Sequence, residues 1–177
     1  MKSGRTDDGS KVLDDLIKKN PQNTSVYAAK GYVLQDQGKL EEAKRDYEQA
    51  LKLNPNFEGA ANNLAYLLAE QGTDLSTALG HAQTARRRQP ENPNFADTLG
   101  WVYYKLGNYT LAQEQFRFAI SKQPNNGAFQ YHLALTYKQM KRMSDAEAAL
   151  KKAISSPNDF REKSLAQAAL KEIASAK

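Results

Sequence analysis

No cysteine occurs among the 177 residues. Its absence excludes a disulfide scaffold, a thiolate zinc site and a cysteine nucleophile. Histidine occurs only twice, at His81 and His132, which leaves little from which to build an imidazole metal site. No apolar run approaches the roughly 18 residues that span a bilayer. The N-terminal MKSGRTDDGS lacks the apolar stretch of a secretory signal. Neither sign of charge dominates: 25 Lys and Arg against 20 Asp and Glu leave +5, well short of a nucleic-acid-binding tail. There is no phosphate-binding Gly loop, no Gly-x-Ser-x-Gly elbow and no His-Glu-x-x-His pair. Acid pairs such as Glu41-Glu42 stand beside Lys44 and Arg45, as on a solvated helix face. The chain reads as non-catalytic, with no cofactor, no metal and no small-molecule substrate.

What the sequence does contain is a period. Pro21, Pro55, Pro90, Pro124 and Pro157 follow one another at 34, 35, 34 and 33 residues. Such spacing signals stacked supersecondary units. Other columns keep the phase: Gly31, Ala65, Gly100 and Ala134; Ala43, Ala78, Ala112 and Ala146; Ala50, Ala85, Ala119 and Ala153; and Leu34, Leu68, Tyr103 and Tyr137. A bulky column holds Tyr47, Phe116 and Leu150, with Ala82 as its exception.

Each unit reads as two helices, most clearly over 93–126. Asn92 can cap a helix with Pro93 in its first turn. Leu99, Gly100 and Tyr103 share one face, and Gly107 ends the helix. Ala112, Phe116, Ala119 and Ile120 form a second stripe at i, i+4, i+7 and i+8. Pro124 follows, where a helix cannot continue. Gly38 and Gly72 mark the equivalent breaks. In the fourth unit Lys141 replaces Gly, and Ser144 with Glu147 offers a capping box. The Gly and Ala columns let helices approach to roughly 8–10 Å around the bulky column.

Leu99-Gly100-x-x-Tyr103, then Ala112-x-x-x-Phe116, then Pro124, resembles the tetratricopeptide repeat. The early Trp of that motif is replaced by Tyr27, Ala61, Ala96 and Gln130. Four full units carry the resemblance: 24–57, 58–92, 93–126 and 127–160. The second departs most, with one extra residue near Thr73-Asp74 and with Ala82 in the bulky column. Residues 1–9 are expected to be a disordered leader, and 10–177 a single array. Within it, 10–23 reads as a partial repeat: Leu13, Leu16 and Ile17 lie 34 residues before Tyr47, Ala50 and Leu51. Either it caps the array at its N-terminus or the chain is excised from a longer array, and a helix with no partner favours excision. Residues 161–177 read as a C-terminal capping helix with Asp159 and Glu162 as its capping box. Its buried stripe is expected at Leu165, Ala169 and Ile173. The fold class is all-α: a right-handed solenoid of stacked helix-turn-helix repeats, about ten helices in all.

Stacked pairs leave a concave surface lined by the first helix of each unit. The resemblance implies a protein-interaction scaffold that binds a partner peptide or helix there. The lining residues expected from the repeat phase are Tyr32, Asn62, Asn63, Tyr66, Asp97, Thr98, Trp101, Tyr104, Tyr131, His132 and Lys138. This is a ladder of exposed aromatics with polar groups between the rungs, and the chain's one Trp sits centrally. Aromatics of this kind give large contact area with few rotamers to freeze. The carboxylate clamp of some family members is not matched: Asn63 fits, but Ala28, Tyr32, Asn94 and Thr98 stand where its other members are needed. Self-assembly through the end helices is the alternative function, and a helical RNA reader a weaker one. Arg86-Arg87-Arg88 falls at a helix end, where cations offset the dipole, and no repeat departs from neutrality by more than two charges. Neither nucleic acid nor membrane insertion is expected. The strings NNLAYLLAEQG and DTLGWVYYKLGNY are similar to bacterial repeat proteins, some of them tied to the envelope. The compartment is cytoplasmic for a complete chain, and periplasmic or envelope-associated for an excised one.

Overall fold

The computed structural model describes residues 3–175 and holds ten helices among them. The chain divides into two compact units, the first ending at Gln89 and the second beginning at Pro90.

The first unit contains α1 (Ser3–Lys19), α2 (Thr24–Asp36), α3 (Leu40–Leu53), α4 (Glu58–Gln71) and α5 (Leu75–Arg88). Each helix packs on the next, with α2 on α3 and α4 on α5 as the tight pairs. Asn23 caps α2, its side chain accepting from the Val26 amide at 3.3 Å. Gly38 and Gly72 close the turns within the pairs at φ 77° and 67°, a region that L side chains enter at a cost. The extra residue of the second repeat has a local use. Asp74 caps α5 by accepting from the Thr77 amide at 3.3 Å and the Ser76 hydroxyl at 3.1 Å. Those bonds from Thr77 and Ser76 hold its carboxyl below the usual carboxylate range. Ala82 is fully buried and so are Ala78 and Ala85: a small-residue face on α5 meets the leucine-rich α4, whose Leu64, Leu67 and Leu68 are buried. Ala82 thus remains fully buried although the aromatic is missing.

The repeat columns do the packing expected of them. Tyr47 is fully buried, and a Cβ built on Gly31 would lie 2.6 Å from its ring. Tyr47 also donates its hydroxyl to Gln35 Oε1 at 2.8 Å. At the chain start α1 begins at Ser3, ahead of residue 10. Met1 and Lys2 of the expected leader lie outside the described residues. Lys30 of α2 holds Asp14 of α1 at 2.7 Å. Leu13 and Ile17 are half-buried, whereas Val12 and Leu16 remain 59% and 43% exposed.

The second unit contains α6 (Pro93–Lys105), α7 (Tyr109–Lys122), α8 (Gly127–Gln139), α9 (Met143–Ile154) and α10 (Lys163–Ser175). Helices α6 and α7 pair, as do α8 and α9; α10 packs on α9 and reaches α8. The Asn92 side chain caps α6 by accepting from the Asn94 amide at 3.0 Å. Gly107 closes its turn at φ 78°. In the fourth repeat the expected capping box does not form. Lys141 itself takes the left-handed turn at φ 59°, α9 starts at Met143 without a side-chain cap, and Glu147 meets Lys151 at 2.9 Å. Phe160 fills the space beside Gly127, where an added Cβ would lie 2.5 Å from its ring. The stripe expected on α10 holds at Ile173, and Ala169 is half-buried, but its first member differs. Leu165 is 57% exposed, and the residues buried against the unit are Ala166 and Ile173, with Ala169 and Leu170 half-buried. In an alanine-rich helix Leu165 and Ala166 are both apolar, and both lie within a turn of Ala169. Contact with α8 and α9 decides between them.

Candidate functional site

In the second unit the first helices of successive repeats, α6, α8 and α10, lie side by side. Their repeat phase brings residues about 35 positions apart into contact. Asp97 of α6 meets His132 of α8, with Nδ1 at 2.9 Å from Oδ1 and 3.1 Å from Oδ2. A carboxylate can only accept, so Nδ1 carries the hydrogen and donates it. Both residues are buried, and a pair held this closely away from water fixes the imidazole orientation.

Rings gather around that imidazole. Trp101 stacks on it at 4.6 Å between centroids, Phe116 lies at 5.5 Å and Tyr131 at 6.1 Å. Trp101 also stacks almost parallel on Tyr104 at 4.9 Å and 4°, an offset geometry that aromatic quadrupoles favour. Lys105 Nζ lies 5.0 Å from the Trp101 ring centroid, within cation–π range. Tyr104 continues the row toward Tyr109 at 5.6 Å, and its hydroxyl accepts from Gln139 Nε2 at 3.4 Å. Thr136, fully buried, donates to the His132 carbonyl at 2.9 Å.

The sequence ladder is therefore only partly open to solvent. Trp101, Tyr131, His132, Asp97, Thr98 and Asn62 are buried, contrary to the exposure expected of them. The cause is visible for the central group: its rings cover one another across adjacent repeats. Tyr104, Tyr66 and Asn63 are half-buried, and Tyr32 stands out at 64% exposed. Tyr32, Asn62, Asn63 and Tyr66 belong to the first unit; the others belong to the second. Asn62 Nδ2 donates to Asn63 Oδ1 at 3.3 Å, and Asn62 Oδ1 is a buried acceptor without a partner among the described residues. Lys138 is bound by the chain's own Glu172, from α10, at 2.8 Å. An acidic partner has to displace that carboxylate.

Two features are not legible in the repeat columns. Nothing in them singles out the Asp97–His132 bond, although adding one period plus one residue to Asp97 reaches His132. Leu165 reads as part of a buried stripe, yet one period before it lies Tyr131, so it extends the same column onto α10. Outside this face, His81 is half-buried on α5, and burial pushes its pKa below the ordinary value. The three arginines 86–88 occupy the last turn of α5, as the dipole argument requires. Among the described residues no group of three His, Asp or Glu side chains is placed to hold a metal, and no helix is long and apolar enough to cross a membrane.

Sequence models of the tetratricopeptide repeat match residues 25–57 and 98–160. A TPR repeat-containing protein of Pseudomonas aeruginosa is 22% identical over 115 residues, 65% of this chain and 20% of that protein. The protein O-mannosyl-transferase Tmtc3 of Drosophila melanogaster is 26% identical over 142 residues, 80% of this chain and 15% of its own length. The chain thus spans a fifth or less of these curated relatives. Among solved structures, a thermophilic TPR protein from Thermus thermophilus superposes with TM-score 0.77 at 21% identity, covering 97% of this chain and 91% of that one. The APC/C hetero-tetramer Cut9–Hcn1 gives TM-score 0.86 at 21% identity, over 98% of this chain and 34% of the other. These likenesses show the fold: an all-α solenoid of helix-turn-helix repeats.

Proposed function

This chain belongs to the tetratricopeptide repeat family, whose fold is a scaffold for protein–protein contact, and from that premise we propose that it holds a partner peptide or helix against the first-helix face of its repeats. The reading is non-catalytic and needs no cofactor. It is carried by one observation, the Trp101–Tyr104 plate set on the buried Asp97–His132 pair. The pair and the Trp101 stack form a rigid floor. Half-buried Tyr104 and Lys138 and exposed Leu165 are the groups that a partner touches. Apolar partner side chains gain area on the rings and Leu165, while Lys105, Lys138 and Glu172 set register. In the first unit Tyr32, Tyr66 and Asn63 form a second contact face.

Selection of binders from a displayed peptide library, followed by calorimetry on the full chain, tests this. Tyr104→Ala removes contact area without opening the core, and Trp101→Ala removes the floor. Each is expected to weaken the selected peptides by about 2 kcal/mol or more, the hot-spot scale, with the helical circular dichroism unchanged. Equal affinities for wild type and both variants would remove this face from the function.

Self-assembly through the end helices is a second reading, favoured by the exposed Val12 and Leu16 on α1. Light scattering separates the two. A monomer across the working concentration range excludes self-assembly. An oligomer that Val12→Asp with Leu16→Asp dissociates supports it.

A further inference from the structure

A cavity of about 360 Å³ opens between α7, α8 and α9, on a different face of α8 from the partner surface. Its volume lies in the range that takes small molecules. Its apolar wall is formed by Ile120, Leu133, Tyr137 and Ala149. Gln130, buried at 6% exposure, also lines it and donates through Nε2 to the Pro124 carbonyl at 3.3 Å. The origin of the cavity lies in the repeat. Gln130 stands where the motif carries its early Trp, and Ala148 and Ala149 of α9 are too small to fill the space from the other side.

The rim is cationic. Arg117 and Lys152 line it from α7 and α9, and neither side chain has an ion pair or hydrogen bond among the described residues. The one acid on the rim, Asp145, is already engaged by Arg142 Nε at 2.7 Å. Arg142 is itself held over the Tyr137 ring at 4.5 Å and donates to Gln113 at 3.1 Å. The site thus presents an apolar wall beneath two uncommitted positive charges.

We propose that this cavity binds a small amphipathic carboxylic acid. The apolar body lies on Ile120, Leu133, Tyr137 and Ala149, and the carboxylate sits between Arg117 and Lys152. Burial of the body supplies the non-directional part of the affinity. The Arg117 guanidinium, a planar fork that matches a carboxylate, supplies the directional part. This inference uses none of the residues of the partner face.

Titration of the isotope-labelled full chain with octanoate, followed by amide chemical shifts, is the test, with 1-octanol as the neutral control. Saturable shifts confined to α7, α8 and α9 are expected, with octanol about tenfold weaker. Arg117→Ala combined with Lys152→Ala, both at exposed positions, should bring octanoate down to the octanol level. Gln130→Trp, which puts back the residue of the motif, should abolish binding of both. Ala148→Leu narrows the same cavity from an exposed position on α9 and should weaken both if the Trp variant does not fold. The proposal is overturned by shifts that do not saturate, by equal affinity for octanoate and octanol, or by undiminished binding in the filled variants.

Discussion

Replacing His132 by Leu is expected to remove about 3–5 kcal/mol of stability, the cost of leaving a buried carboxylate without its partner. Asp97 is 8% exposed and its carboxylate accepts from Nδ1 at 2.9 and 3.1 Å. Leu conserves much of the apolar contact with Trp101, Phe116 and Tyr131 but provides no donor. The carboxylate then keeps its desolvation and loses its partner. Removing both members tests the mechanism. The double variant His132→Leu with Asp97→Leu leaves no buried charge, and should recover a large part of what the single variant loses. Urea unfolding followed by circular dichroism reads both. If single and double variants fall by the same amount, the loss belongs to ring packing and the pair contributes nothing.

Truncation of Phe116 to Ala should be comparably severe, again about 3–5 kcal/mol, because the ring is fully buried and its removal leaves a cavity that helices cannot easily close. A sharper form of the prediction lies in its coupling to Gly100. A Cβ built on Gly100 would sit 2.7 Å from Phe116 Cε1 and 2.9 Å from Cδ1, inside any tolerable carbon–carbon distance. Gly100→Ala in the wild-type background is therefore destabilising by about 1–3 kcal/mol through overpacking. In the Phe116→Ala background the obstacle is gone, and the same methyl group should be neutral or favourable. A double-mutant cycle by thermal or urea unfolding gives the interaction energy. Additive losses would mean that ring and glycine do not share this space. Tyr47 and Gly31 repeat the arrangement in the first unit at 2.6 Å, so the cycle can be run twice in one chain.

Much of this is written in the one-dimensional pattern. The glycines at 38, 72 and 107, the caps at Asn23 and Asn92, and the alternation of small and bulky columns each act within a helix pair. Their consequences follow from local geometry. The departures fall where two adjacent residues are both apolar or where a contact crosses from one repeat to the next. Lys141 shows a further limit, at the scale of a turn. The sequence offers Ser144 and Glu147 as a cap, but the tight connection between α8 and α9 places Lys141 in a left-handed conformation instead. Leu165 shows the apolar ambiguity on a helix, where packing against α8 and α9 buries Ala166 in its place.

The period alone determined that the chain is built of helix pairs, where the glycine turns within them fall, and which small residues admit which rings, since those relations recur between near neighbours and are enforced by steric exclusion. Only the tertiary structure decided that Trp101 is covered, that Asp97 bonds His132, and that Gln130 borders a hollow. Accessibility and hydrogen bonding depend on the separation and angle between side chains about 35 residues apart. Shifts of an ångström settle those quantities, and a repeat pattern does not carry them.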